Sequence, residues 1–225
     1  MTRKIIFLIF VVLILASTIF ILYFYEFKNK TIKISVPEAI EQKNINDDDL
    51  LLKVNKQNCL LADYVPSDLI DVLNYQIPAS KSFKLRKVAI YDLKAMINQA
   101  KQEGISLKVI SAYRSYQDQK RIYNSWVDKL GQKEASRQSA PQGCSEHQLG
   151  TTIDFNKLDS NFANEPAGIW LEKNAYKYGW VISYPANSEK ITGYIYEPWH
   201  YRYIGIDNAL NFKNSGLILS EFLNK

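Results

Sequence analysis

Only two histidines occur in this 225-residue chain, and acids stand close to both. His147 lies in "SEHQLGTTIDF", seven residues before Asp154. His200 lies in "EPWHYRY", three residues after Glu197. Imidazoles and carboxylates are the ligands of a catalytic zinc, which takes three protein ligands, keeps a position open for water and needs a base beside that water. His147, Asp154 and His200 are the candidate ligands, and Glu197, held near His200 by Pro198 and Trp199, is the candidate base. Each residue alone also has a structural reading, a histidine satisfied in a core or an aspartate at a turn, because both spacings arise often by chance.

The ligand set needs a turn and two neighbouring strands. "TTIDF" reads as a strand with Thr152 and Asp154 on one face and Ile153 and Phe155 in the core. A turn at Gly150 would bring His147 to the same point, and a strand containing His200 would complete the set. Around these, "VPSDLIDVL" reads as the start of a helix after Pro66 and Ser67. A second helix is expected over "LRKVAIYDLKAMINQAKQEG", with Val88, Leu93, Met96, Ile97 and Ala100 on its apolar face and Gly104 as its stop. "SLKVISAY" and "WVISYP" read as strands, "PAGIWLEKNAYKYG" as a helix, and "GYIYEPWHYRYIG" as an extended aromatic segment. "SYQDQKRIYNSWVDKLG" reads as a helix with Ser115 and Asp118 in a capping box and Gly131 at its end. The loose alternation favours an α+β domain with a small, mostly antiparallel sheet and flanking helices over a doubly wound fold.

The segments "SAYRSYQDQ", "SEHQLGTTIDF", "NAYKYGWVISYP" and "TGYIYEPWHYRYIG" occur in the order seen in VanY-type D-alanyl-D-alanine carboxypeptidases, which the chain resembles over roughly residues 51 to 210. These are zinc peptidases of bacterial peptidoglycan, related to LD-carboxypeptidases and VanX dipeptidases. The resemblance implies Zn2+ held by His147, Asp154 and His200, with Glu197 as catalytic base. It makes Arg114 the residue facing the substrate carbonyl, and it places Gln119, Ser145 and Tyr194 in the substrate pocket. The implied reaction removes the C-terminal D-alanine from peptidoglycan stem peptides. An LD-carboxypeptidase, an endopeptidase and a non-catalytic wall-binding module remain as alternatives.

From Ile5 to Tyr25 no residue is charged, a run of about 31 Å as a helix, roughly one bilayer core. Apolar residues continue past "LAST", which favours an uncleaved anchor over a cleaved signal peptide. The expected order is therefore a membrane anchor over 1–25, a polar tether over 26–50 and a catalytic domain over 51–225. The short N-terminal tail is expected in the cytoplasm and the domain outside the cell membrane. Of the net charge of +5, residues 1 to 33 carry +4, beside the bilayer, where it suits anionic lipid. No basic stripe is left for nucleic acid, and the domain is expected to act as a monomer. Cys59 and Cys144, both at departures from the family pattern, suit a disulfide outside the cell, with two separate thiols as the alternative.

Overall fold

In the computed structural model the described residues are Phe20 and 50–224. The expected anchor and tether lie outside them, apart from Phe20 and Leu50. Among the described residues no helix is long and apolar enough to cross a membrane.

The domain is α+β. Strands β1 (Leu69–Asp71) and β2 (Lys84–Arg86) form a small antiparallel ribbon. Strands β3 (Val109–Ser111), β4 (Thr152–Phe155), β5 (Trp180–Ile182) and β6 (His200–Tyr203) form a four-stranded antiparallel sheet in the order β3-β4-β6-β5. Helix α1 (Lys87–Gln102) buries Ala89, Ile90, Leu93, Met96, Ile97 and Ala100. They share one core with Val109, Ile153, Phe155, Tyr201 and Tyr203 of the sheet. Since side chains alternate along a strand, Asp154, His200 and Arg202 point the other way. One sheet face therefore makes the core, and the opposite face is free to carry chemistry.

Helix α2 (Tyr116–Leu130) starts where expected, with Ser115 accepting from the Asp118 N–H, and Gly131 ends it. Helix α3 (Gln132–Gln138) follows directly, and α4 (Pro166–Asn174) takes Pro166 in its first turn. Gly168 of α4 admits no side chain, because a Cβ there would lie 2.0 Å from the Phe162 carbonyl oxygen.

Three expectations are corrected. "VPSDLIDVL" begins no α-helix: Leu69–Asp71 pairs with β2, and the Asp71 side chain then caps a 3-10 turn over Val72–Tyr75. Ladder pairing, together with the Arg86–Asp68 ion pair at 2.7 Å, overrides the Pro-Ser start signal. Val88 lies outside the apolar face of α1 and is exposed. Only His200–Tyr203 of the long aromatic segment is strand.

Candidate metal centre

Asp154 and His200 are directly opposed in the β4–β6 ladder, so their side chains leave the same face together. His147 arrives from a 3-10 turn, Glu146–Leu149, whose first turn is capped by the Ser145 hydroxyl accepting from the His147 N–H. Gly150 closes that turn at φ 69°, a left-handed conformation that suits glycine. Glu197 and His200 bracket a tight turn in which the His200 N–H donates to the Glu197 carbonyl, with Pro198 behind Glu197. The three-residue spacing is thus the spacing of that turn.

The three side chains His147, Asp154 and His200 are buried, with one ligand atom from each lying within 4.8 Å of the others. Nδ1 of His147 is 2.8 Å from the Ala112 carbonyl, which can only accept, so Nδ1 donates and Nε2 keeps a lone pair. That Nε2 lies 3.2 Å from Asp154 Oδ2. On the other side, Nε2 of His200 is 3.1 Å from the Glu146 carboxylate, which leaves Nδ1 facing Asp154 Oδ1 at 3.1 Å. Asp154 Oδ1 is buried without a hydrogen-bond partner. Lone pairs directed at carboxylate oxygens repel unless a cation joins them, and two neutral imidazoles with one carboxylate suit zinc.

The titration of His147 and Asp154 fits this, a neutral imidazole beside an ionised carboxylate. Burial keeps the His147 imidazole below its ordinary pKa, so it is neutral. Burial also disfavours charge on His200, but Asp154 and Glu146 outweigh it and push the imidazole up to about 10. Burial opposes ionisation of Asp154, yet His147 and His200 hold its carboxyl well below the usual range.

Glu197 stands beside this set, with Oε2 3.5 Å from His200 Nδ1. Burial pushes its carboxyl up to about 7, helped by Asp154 and opposed by His200 and Arg114. Arg114 donates from Nη1 to Gln119 Oε1 at 2.6 Å and from Nη2 to Ser111 Oγ at 3.0 Å, which fixes the guanidinium plane. Gln119 also donates to the Ala140 carbonyl at 2.6 Å, so it braces Arg114 as well as lining the cleft. Arg114, Gln119, Ser145, Tyr194 and Glu197 line one cleft of about 380 Å3 with the three candidate ligands. The Tyr194 hydroxyl is buried there with no partner.

Sequence reasoning missed Glu146, Ser183 and Arg202, which lie buried behind His200. Ser183 donates to Glu146 at 2.6 Å and Arg202 at 3.1 Å. Burial would raise the Glu146 carboxyl, but His200, Arg202 and Ser183 hold it at about 2. The signals were present: Glu146 adjoins His147, and Arg202 stands two residues from His200, on the same strand face.

The family model described as VanY, D-alanyl-D-alanine carboxypeptidase, matches residues 82–206. The putative carboxypeptidase YodJ of Bacillus subtilis (strain 168) is 40% identical over 189 residues, covering 80% of this chain and 69% of YodJ. Among solved structures, the LdcB LD-carboxypeptidase has a TM-score of 0.76 at 38% identity, over 86% of this chain and 92% of that one. A vancomycin-resistance D,D-pentapeptidase VanY variant in complex with Zn(II) has a TM-score of 0.65 at 32% identity, over 77% of this chain and 98% of that one. The matched family span runs from β2 through β6 and contains every residue of the cleft named above. The chain therefore belongs to the VanY D-alanyl-D-alanine carboxypeptidase family and is a zinc metallopeptidase.

Proposed function

We propose that this protein removes the C-terminal D-alanine from peptidoglycan stem peptides, with the pentapeptide ending in D-alanyl-D-alanine as its substrate. The observation that carries the reading is the buried His147–Asp154–His200 set at a cleft, with the Glu197 carboxylate beside it but outside it. His147 through Nε2, Asp154 through its carboxylate and His200 through Nδ1 would hold the zinc. Bound there, zinc supplies a Lewis acid that polarises the scissile carbonyl and makes water a better nucleophile.

The chain's own residues do the rest. Glu197 takes a proton from the attacking water on a carboxylate oxygen and returns it to the leaving amine. Burial raises the proton affinity of this carboxyl, which helps it to take that proton. Arg114, braced by Gln119 and Ser111, presents fixed donors to the oxyanion that forms at the carbonyl. The unpartnered Tyr194 hydroxyl and the Ser145 hydroxyl are the donors for the substrate's peptide and terminal carboxylate.

The likeness to LdcB supports a second reading, an LD-carboxypeptidase acting on the tetrapeptide stem. For location, the uncharged run Ile5–Tyr25 supports a single membrane anchor, and on this proposal the domain lies outside the cell and acts as a monomer. Both readings are separated by incubating the zinc-loaded chain with pentapeptide and tetrapeptide stems and weighing the products. Loss of one alanine from the pentapeptide supports the first, and loss from the tetrapeptide alone replaces it with the second. Two peptide fragments would make the enzyme an endopeptidase and overturn both.

A further inference from the structure

We infer that Glu146 and Arg202 are a positioning pair: they dictate which ring nitrogen His200 offers to the metal, and they tie that choice to the backbone at Leu50 and Leu52. The inference rests on the reading that His200 is a zinc ligand. It starts from the contacts of two charged side chains that touch neither the cleft nor the reacting atoms. Glu146 is 4% exposed and Arg202 is 0% exposed. Glu146 Oε2 accepts from His200 Nε2 at 3.1 Å and from Ser183 Oγ at 2.6 Å, while Oε1 accepts from Arg202 Nη1 at 3.1 Å. The second arm of Arg202, Nη2, donates to the Leu50 carbonyl at 3.0 Å and the Leu52 carbonyl at 2.8 Å.

A buried ion pair is a poor device for stability alone, since apolar residues of similar volume do as well or better. It is a good device for fixing a tautomer. A carboxylate has lone pairs and no proton to give, so a neutral His200 beside Glu146 must carry its hydrogen on Nε2 and keep the Nδ1 lone pair for the metal. A neutral amide of the same shape would not enforce this. Its oxygen would turn to the Arg202 donors, and its NH2 would then face His200 Nε2 and favour hydrogen on Nδ1, the wrong nitrogen. Arg202 holds the carboxylate in register because β6 places it two residues from His200 on one face, and its planar fork reaches Glu146 and the two carbonyls at once. The segment at Leu50–Leu52 is thereby part of the metal centre's support.

The test uses the full chain and reads zinc affinity by competition with a chromophoric chelator. Glu146→Gln and Arg202→Lys should each bind zinc about 10–100-fold more weakly. For Glu146→Gln, the KM of the zinc-saturated enzyme should stay near the parent's, while the metal-free protein should melt lower because Arg202 loses its buried counter-charge. Parental zinc affinity in Glu146→Gln would overturn the inference while leaving the metal site itself intact. Failure of the parent to bind zinc would instead remove the reading beneath it. If either variant does not fold, nitrogen-15 NMR of the histidines in the zinc-loaded parent decides. Hydrogen on Nε2 of His200 is expected, and a metal-bound Nε2 would contradict the pair's role.

Discussion

Glu197 can act as a base only while it is ionised, and its surroundings make ionisation sensitive to conditions near neutrality. Burial raises its carboxyl to about 7, so the active carboxylate is lost as the pH falls through that value. A bound cation nearby favours the ionised form and moves this midpoint down. The acid limb of kcat/KM for the zinc-loaded enzyme should therefore lie at or below pH 7, and a limb centred above pH 8 would contradict the assignment. Glu197→Gln should keep the parent's zinc content yet lose about 10²–10⁴ in kcat. Metal lost in step with activity would make Glu197 a ligand instead. Arg114→Lys should lose about 10²–10³ in kcat, because an ammonium cannot bond Gln119 and Ser111 and still face the carbonyl. Near-parental turnover would take Arg114 out of the mechanism.

At the scale of elements, the turn that delivers His147 depends on Gly150. Its left-handed backbone costs any other L-residue about 1–2 kcal/mol, and a Cβ there would meet Leu69 Cδ2 at 2.8 Å and Arg86 Cγ at 3.0 Å. Gly150→Ala should lower stability by about 1–3 kcal/mol, read from urea unfolding of the metal-free protein, and should speed zinc loss. An unchanged midpoint would mean that the turn relaxes freely. Elements with strong local chemistry were legible in the sequence: α2 has its Ser115 cap and its Gly131 stop, and β4 has its alternation. The spacings around His147 and His200 arise often by chance, so it was the family resemblance that singled out His147, Asp154 and His200, which the fold brings within 4.8 Å of one another. The strand at Leu69–Asp71 was not legible, since its structure comes from pairing with Lys84–Arg86, across the intervening 3-10 turn and loop. The Glu146–Arg202 contact was hidden for the same reason, as it exists only once β6 is in register with β4.

Over the whole molecule, the stretch before β1 is fastened to the rest of the domain at several points. Cys59 and Cys144 form a disulfide across 85 residues, and beside it the Leu60 N–H donates to the Gly143 carbonyl at 2.8 Å. Arg202 holds the Leu50 and Leu52 carbonyls. On the chain-entropy view a loop of that length contributes about 4–5 kcal/mol, so Cys59→Ser with Cys144→Ser should cost about 2–5 kcal/mol in denaturant unfolding. A loss below 1 kcal/mol would show that the other contacts suffice. The central claim, that this chain is a peptidase whose chemistry runs on one zinc at His147, Asp154 and His200, is tested most directly by reconstitution. The protein is stripped of metal by exhaustive chelation, and D-alanine release from a pentapeptide stem is then followed against added zinc. Activity should be absent at the start, rise in proportion to zinc and level off at one equivalent, while the His147→Ala, His200→Ala variant stays inactive at every addition. Full activity in the stripped protein, or stoichiometric zinc retained by that double variant, would contradict the account.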